Sequence, residues 1–436
     1  MTSVRRLDWV STPAGPLRGT VRVPGDKSIS HRAIMLASLA EGTSRISGFL
    51  EGEDTRATAR AFGQMGVRIE TPSATERVVH GVGLRGLRAP GAAVDCGNAG
   101  TGMRLLTGLL AGQDFDSTLI GDESLSRRPM RRVIEPLARM GARIESEPGG
   151  LPPLRVAGRQ ALHGIEYSLP VASAQVKSAI LLAGLYADGQ TRVVEPHPTR
   201  DYTERMLAAF GWPIEFGEGW AKLHGGHFLR ATDVTVPADF SSAAFFLVAA
   251  TLVPGSELLL PAVGMNPRRT GLLAALRAMG ADVRESNGRE LGGERVADLV
   301  VRHARLRAID VPVELVPDMI DEFPILFVAA AAAAGTTRIR GAAELRVKES
   351  DRIAVMARGL RSLGIAIEET ADGAIIEGGR FSGGEAGSSG DHRCAMSFAV
   401  AGLLARQSVR ILDCANVATS FPGFTDLARS AGFDLR

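Results

Sequence analysis

Apolar residues in this chain gather in runs, and each run lies between two kinds of polar punctuation. The pattern repeats six times. Each copy closes on a helix-like run that ends in a Gly-containing turn, followed by a short strand-like run. The copies read QMGVRIE (Gln64 to Glu70), RMGARIE (Arg139 to Glu145), AFGWPIE (Ala209 to Glu215), AMGADVR (Ala278 to Arg284), SLGIAIE (Ser362 to Glu368) and SAGFDLR (Ser430 to Arg436). Gly at that place lets a helix end in the left-handed conformation. Copies recur every roughly 70 to 85 residues, the length of a multi-element unit rather than a hairpin.

Each unit opens with a polar cluster and then a strongly apolar run. The openings are GDKSISHR (Gly25 to Arg32), CGNAGTGMR (Cys96 to Arg104), VASAQVKS (Val171 to Ser178), ADFSSA (Ala238 to Ala243), DMIDEFP (Asp318 to Pro324) and GDHRCAM (Gly390 to Met396). Runs such as AAFFLVAATLV (Ala243 to Val253) and ILFVAAAAAA (Ile325 to Ala334) predict helices that are buried all round. Six buried helices are thus predicted to start with polar residues, where free N–H groups and the positive end of the dipole favour anions.

A second polar cluster falls midway through each unit, before an amphipathic helical pattern. These are EDTR (Glu53 to Arg56), SRRPM (Ser126 to Met130), PTRDY (Pro198 to Tyr202), NPRRT (Asn266 to Thr270), VKESDR (Val347 to Arg352) and TSFPGF (Thr419 to Phe424). All but the last contain Arg, although Arg at a helix start works against the dipole. A polyanion shared by guanidinium groups and dipoles accounts for that placement. Pieces such as TRVVEP and TTRIRGA read as strands between the helices.

Composition narrows the function classes. A net charge of +2 excludes nucleic-acid binding by bulk field, and 5% aromatic residues leave little for base stacking. The apolar runs are too short to span a bilayer, and the first residues have no secretory apolar core, so no membrane partner and a cytoplasmic setting are expected. Cys96, Cys394 and Cys414 lack metal-ligand spacing and read as reduced thiols. No metal, redox or nucleotide motif is present, and no cofactor is expected. Lysine is scarce: among 50 basic residues only Lys27, Lys177, Lys222 and Lys348 are lysine. Three of these lie in or beside the polar clusters, where a compact ammonium offers chemistry that guanidinium does not.

The segments GDKSISHRA, GNAGTGMR, SAQVKSA, RVKESDR and DHRCAMS, in this order from Pro24 to Phe421, resemble the signatures of the 5-enolpyruvylshikimate-3-phosphate synthase family. The resemblance implies an α/β fold: a two-domain inside-out α/β barrel, each domain made of three βαβαββ units with buried helices and outer sheets. One domain would span 24–237 and the other 1–23 plus 238–436, with two hinge crossings and closure on the first ligand. It implies transfer of the carboxyvinyl group of phosphoenolpyruvate to the 5-hydroxyl of shikimate 3-phosphate, with release of phosphate. These two metabolites are the expected partners of a monomeric enzyme.

By the same resemblance, Lys27, Asn98, Gly100, Arg128, Gln175, Arg352 and Arg393 would hold phosphoenolpyruvate. Ser28, Arg32, Ser173, Ala174, Gln175, Arg200, Asp321 and Lys348 would hold shikimate 3-phosphate. Asp321 would take the hydroxyl proton, and Glu349 would serve the methylene carbon with help from Lys27. Carboxylates among cations can act as both acid and base, because their neighbours set their protonation. His31 and His392 are expected to be orienting or hydrogen-bonding neighbours of Arg32 and Arg393 rather than general acids, and Asp54 and Asp201 to be caps rather than catalysts. The stretch Gly378 to Gly390 is expected to be a flexible turn.

Two positions depart from the family pattern. Thr419 stands where many members carry Lys, and Ala174 where many carry Ser. Both changes resemble a sub-branch tolerant of the inhibitor glyphosate, whereas Gly100 leaves room for it. Sensitivity is the expectation taken here. A related fold serves an enzyme that transfers enolpyruvate to UDP-N-acetylglucosamine, but its loop Cys has no counterpart in GDESLSRRPM (Gly121 to Met130). RNA 3′-phosphate cyclase is disfavoured by charge and aromatic content. A non-catalytic anion-binding protein would bind both ligands without releasing phosphate.

Overall fold

The structure, a computed structural model, describes residues 7–436. Twelve α-helices occur among them: α1 (Lys27–Leu39), α2 (Glu53–Gln64), α3 (Gly100–Leu110), α4 (Arg131–Arg139), α5 (Ala174–Gly184), α6 (Tyr202–Ala209), α7 (Phe240–Leu252), α8 (Gly271–Ala278), α9 (Phe323–Ala332), α10 (Arg352–Ser362), α11 (His392–Gly402) and α12 (Phe424–Ser430). Odd-numbered helices follow the unit openings and even-numbered helices follow the second clusters. Burial tracks composition. Every residue of α7 is buried, whereas α4 buries only Val133, Pro136 and Leu137.

All six even-numbered helices end in the same way. Gly66, Gly141, Gly211, Gly280, Gly364 and Gly432 have φ of 91°, 99°, 81°, 96°, 87° and 106°. In each turn the Gly N–H and the next residue's N–H return to carbonyls of the last helical turn. In the first copy, Gly66 N donates to Gly63 O at 3.1 Å and Val67 N to Phe62 O at 3.0 Å. The chain thereby reverses into an outer strand while the helix keeps its last carbonyls satisfied.

Each unit builds one small sheet. In the second unit the strands Val94–Asp95, Ser117–Ile120, Leu151–Val156 and Ile144–Glu147 lie in that order, the first pair parallel and the rest antiparallel. Units borrow strands where the chain order demands it. Leu229–Arg230 and Val234–Thr235 run parallel beside Ala40–Ser47. Trp9–Thr12 pairs antiparallel with Val409–Leu412 and Asp434–Leu435, and Arg18–Thr20 pairs parallel with Glu257–Gly264.

The chain divides into two compact units. One comprises Gly25–Val236 with Leu291–Gly293; the other comprises the stretch up to Pro24, Pro237–Glu290 and Glu294–Arg436. Pro24 and Pro237 thus belong with the C-terminal half. Each unit has its own apolar core, centred on α1, α3 and α5 in one and on α7, α9 and α11 in the other. The fold is the two-domain inside-out α/β architecture, with helices within and sheets without. The stretch Gly378 to Gly390 is more ordered than its glycines implied: Gly384–Gly387 forms a strand parallel to Val409–Leu412, and Phe381 is buried.

Candidate active site

In the unit built on Gly25–Val236, the odd helices differ in how they begin. Asp26 caps α1, accepting from Ile29 N at 2.9 Å, and Ser173 caps α5, accepting from Val176 N at 3.4 Å. The cap position of α3 is Ala99, which has no side-chain oxygen to offer. Two guanidinium groups stand beside that open start. A Cβ placed on Gly100 would lie 3.0 Å from Arg104 Nη1 and 3.1 Å from Arg128 Nη1. Arg128 Nη2 donates to Asn98 Oδ1 at 2.6 Å, and Asn98 Nδ2 donates to Asp122 Oδ2 at 2.7 Å. Arg104 Nη1 donates to Gln175 Oε1 at 2.9 Å, and Gln175 Nε2 to Thr101 Oγ1 at 2.9 Å. Asn98, Gly100, Arg128 and Gln175 are therefore one cluster, with Arg104 at its centre.

Lys27, the first residue of α1, donates to Asp54 Oδ2 at 2.9 Å. Asp54 is therefore an ion-pair partner rather than a cap. Asp201 likewise makes no side-chain cap and pairs with Arg205 Nε at 2.8 Å. Arg32 is buried and donates to Thr203 Oγ1 at 2.7 Å, Ser178 Oγ at 2.8 Å and Ser28 O at 2.9 Å. Burial brings its pKa down to about 10, the nearby Arg200 adding to the fall against the pull of Glu204. His31 donates or accepts at Thr58 Oγ1 at 2.8 Å. Burial, then Lys27 and Arg32, push its pKa down to about 3. A group held neutral in this way is a hydrogen-bonding neighbour and not an acid.

Lys177 belongs to the framework. Its ammonium lies 2.7 Å from Glu195 Oε2 and 2.8 Å from Glu204 Oε1, and its side chain is 3% exposed. Burial works against that charge, but the two carboxylates win and raise the Lys177 pKa. Glu195 also accepts from Thr199 N at 3.3 Å and from the Thr199 hydroxyl, which ties down the turn carrying Arg200. A separate cavity of about 480 Å³ in this unit, lined by Glu41, Arg85, Tyr186, His227 and Phe228 among others, adjoins the opposite, C-terminal ends of α1 and α5.

Around Arg352 in the other unit, carboxylates outnumber the guanidinium groups. Arg352 is 1% exposed and reaches Asp391 Oδ2 at 2.9 Å, Glu349 Oε2 at 2.5 Å and Asp321 Oδ1 at 3.5 Å. Asp391 caps α11 through Arg393 N and Cys394 N while also accepting from Ser350 Oγ at 3.1 Å. Arg393 Nη1 donates to Asp321 O at 3.1 Å and lies 3.6 Å from Glu322 Oε1. Arg269, buried behind them, reaches Asp321 Oδ2 at 3.1 Å, Glu322 Oε1 at 3.2 Å and Asp239 Oδ1 at 3.5 Å. Lys348 lies at the edge and pairs with Glu344 Oε1 at 3.0 Å. Asp321, Glu349, Arg352 and Arg393 are thus one network.

The family model for EPSP synthase (3-phosphoshikimate 1-carboxyvinyltransferase) matches residues 11–427. The chain belongs to the EPSP synthase family. Curated relatives named 3-phosphoshikimate 1-carboxyvinyltransferase include that of Xanthomonas oryzae pv. oryzae (strain PXO99A), 67% identical over 98% of this chain and 97% of the relative. That of Xanthomonas campestris pv. campestris (strain B100) is 66% identical over 98% of each chain. The solved EPSP synthase of Acinetobacter baumannii superposes with a TM-score of 0.88 at 51% identity, covering 98% of this chain and 99% of the other.

Against the EPSP synthase pattern, Thr419 is buried and donates to Asn416 O at 2.7 Å, so its hydroxyl closes its own turn. Ala174 is the first residue of α5, beside its cap Ser173. Sequence reasoning gave Arg104 no firm place and Arg269 none. Arg104 lay within the CGNAGTGMR opening, and Arg269 within NPRRT, so the available signal was motif membership alone. Among the described residues no helix is long and apolar enough to cross a membrane, and no group of three His, Cys, Asp or Glu could hold a metal ion.

Proposed function

We propose that this member of the EPSP synthase family transfers the carboxyvinyl group of phosphoenolpyruvate to the 5-hydroxyl of shikimate 3-phosphate and releases phosphate, a step of aromatic amino acid biosynthesis. The observation that carries the reading is the uncapped start of α3 with Arg104 and Arg128 against Gly100, which suits a small phosphorylated acid. Phosphoenolpyruvate is held by Lys27, Asn98, Gly100, Arg128, Gln175, Arg352 and Arg393. Shikimate 3-phosphate is held by Ser28, Arg32, Ser173, Ala174, Gln175, Arg200, Asp321 and Lys348. Arg32 and Arg200, close enough to repel one another, suit a phosphate between them.

Asp321 takes the proton of the 5-hydroxyl. Glu349 protonates the methylene carbon of phosphoenolpyruvate during addition and takes a proton back as phosphate leaves, with Lys27 assisting. No cofactor enters the reaction, and the enzyme acts as a cytoplasmic monomer. A coupled assay of phosphate release tests the reading. Release requires both substrates, and Lys27→Met lowers it sharply. Binding of both ligands without release would make the chain a non-catalytic anion binder.

A further inference from the structure

We infer that Arg269 is a positioning residue that sets the orientation and the working pH range of Asp321. This rests on the reading of Asp321 as the base for the 5-hydroxyl. Arg269 lies before α8, in a part of the chain to which the family signatures assign no role. Its side chain is 5% exposed, whereas that of Asp321 is 16% exposed. The guanidinium therefore stands on the protein side of the carboxylate and is placed to act through Asp321 rather than on a ligand.

The surroundings make Arg269 a strut between two helix starts. At α7 it meets Asp239 Oδ1 at 3.5 Å and the Ser241 hydroxyl. At α9 it meets Asp321 Oδ2 at 3.1 Å and Glu322 Oε1 at 3.2 Å. Ser241 also donates to Glu322, which closes the ring. Asp321 has no freedom to turn without breaking a charged contact within this ring. Its other oxygen faces Arg352 Nη1 at 3.5 Å. Glu349 and Asp391 approach through Arg352, and Arg393 approaches through the Asp321 carbonyl and Glu322.

Two effects follow from Arg269. It fixes the carboxylate where the substrate hydroxyl must arrive, and a misplacement of about 1 Å costs about 10²-fold in rate. Its charge favours the ionised carboxylate, the form that can accept a proton. Removing it takes away the nearer of the guanidinium groups of Arg269 and Arg352, while Glu322, Asp239, Glu349 and Asp391 still oppose ionisation.

The test compares Arg269→Gln, Arg269→Lys, the charge-balanced double variant Arg269→Gln/Glu322→Gln, and Asp321→Asn. The readouts are kcat, both KM values and the pH profile of kcat. Arg269→Gln should lower kcat about 10²-fold, leave both KM values within about threefold, and move the acid limb of the profile to higher pH. Arg269→Lys should restore the position of that limb but only part of kcat. The double variant removes one charge of each sign and guards against loss of folding; because Glu322 no longer opposes ionisation, its limb should move less than that of Arg269→Gln, while kcat should fall as far. Unchanged kcat and an unmoved limb in either folded Gln variant would overturn the inference. Full activity of Asp321→Asn would instead overturn the base assignment on which it rests.

Discussion

Gly100 and Arg128 approach so closely that a methyl group on Gly100 would sit 3.1 Å from the Arg128 Nη1 atom, and 3.0 Å from Arg104 Nη1. Both guanidinium groups are held by partners, Arg128 by Asn98 and Arg104 by Gln175, so neither can move without disturbing the cluster. Gly100→Ala should therefore shift the donors by a few tenths of an ångström. The KM for phosphoenolpyruvate should rise roughly tenfold, equivalent to about 1.4 kcal/mol. Glyphosate inhibition should weaken by at least as much. Steady-state kinetics with and without glyphosate check this, and unchanged constants would mean that no ligand meets this face of α3.

Glu349 offers the cleanest separation of chemistry from binding. Its carboxylate is 2.5 Å from Arg352 Nη2, and its side chain is 21% exposed, so it is anchored yet open to solvent. Glu349→Gln keeps the shape and an oxygen for the hydrogen bond but removes the group proposed to transfer the proton. Turnover should fall by about 10² to 10⁴ while substrate binding stays near that of the parent enzyme. Single-turnover kinetics alongside calorimetric binding of shikimate 3-phosphate measure the two effects. Turnover close to that of the parent enzyme would remove Glu349 from the acid–base role.

The repeat was legible in the sequence because it rests on local rules. A left-handed Gly after a helix is a backbone requirement, and all six closing glycines meet it. An apolar run is a burial signal, and α7 and α9 follow it. Partner choice was not legible, because it depends on residues far apart in sequence. The expectation was of cations gathered for an anion. The structure gives Arg352 three carboxylates and encloses Lys177 between Glu195 and Glu204. The anion-binding reading of the helix starts also narrows, since Asp26, Ser173, Asp239 and Asp391 already cap α1, α5, α7 and α11. Sequence shows that these residues are polar; only the fold shows which of them face one another.

His31 ties stability to acidity. In the folded chain its pKa is about 3, against an ordinary value of 6.5. The folded state thus keeps a neutral ring where the unfolded chain takes up a proton, so stability is fully present above pH 6.5 and falls as pH drops towards 3. At pH 5 the loss from this one group should be about 2 kcal/mol. Urea unfolding at pH 7 and pH 5 measures it. His31→Gln should show a smaller fall between the two pH values than the parent enzyme, and an equal fall would assign the acid sensitivity elsewhere.

Two glycines at helix ends should respond in opposite directions to the same substitution. Gly211 follows α6 with φ of 81°, and a Cβ there would meet nothing nearer than Arg230 Cδ at 3.8 Å. Space is therefore not at issue, and Gly211→Ala should cost about 1 kcal/mol through backbone conformation alone. Gly63 lies inside the last turn of α2, is exposed, and would carry a Cβ with open space for 4 Å around it. There Ala fits the helix better than Gly, and Gly63→Ala should stabilise by about 1 kcal/mol. Thermal unfolding of the two single variants and their double variant checks both signs. The sites end different helices, and a methyl at Gly63 touches nothing that a methyl at Gly211 could move, so the double variant should unfold close to the parent. A neutral Gly211→Ala would show that this closing glycine is kept for something other than helix termination, and a destabilising Gly63→Ala would show that the last turn of α2 is not an ordinary helical site for Ala.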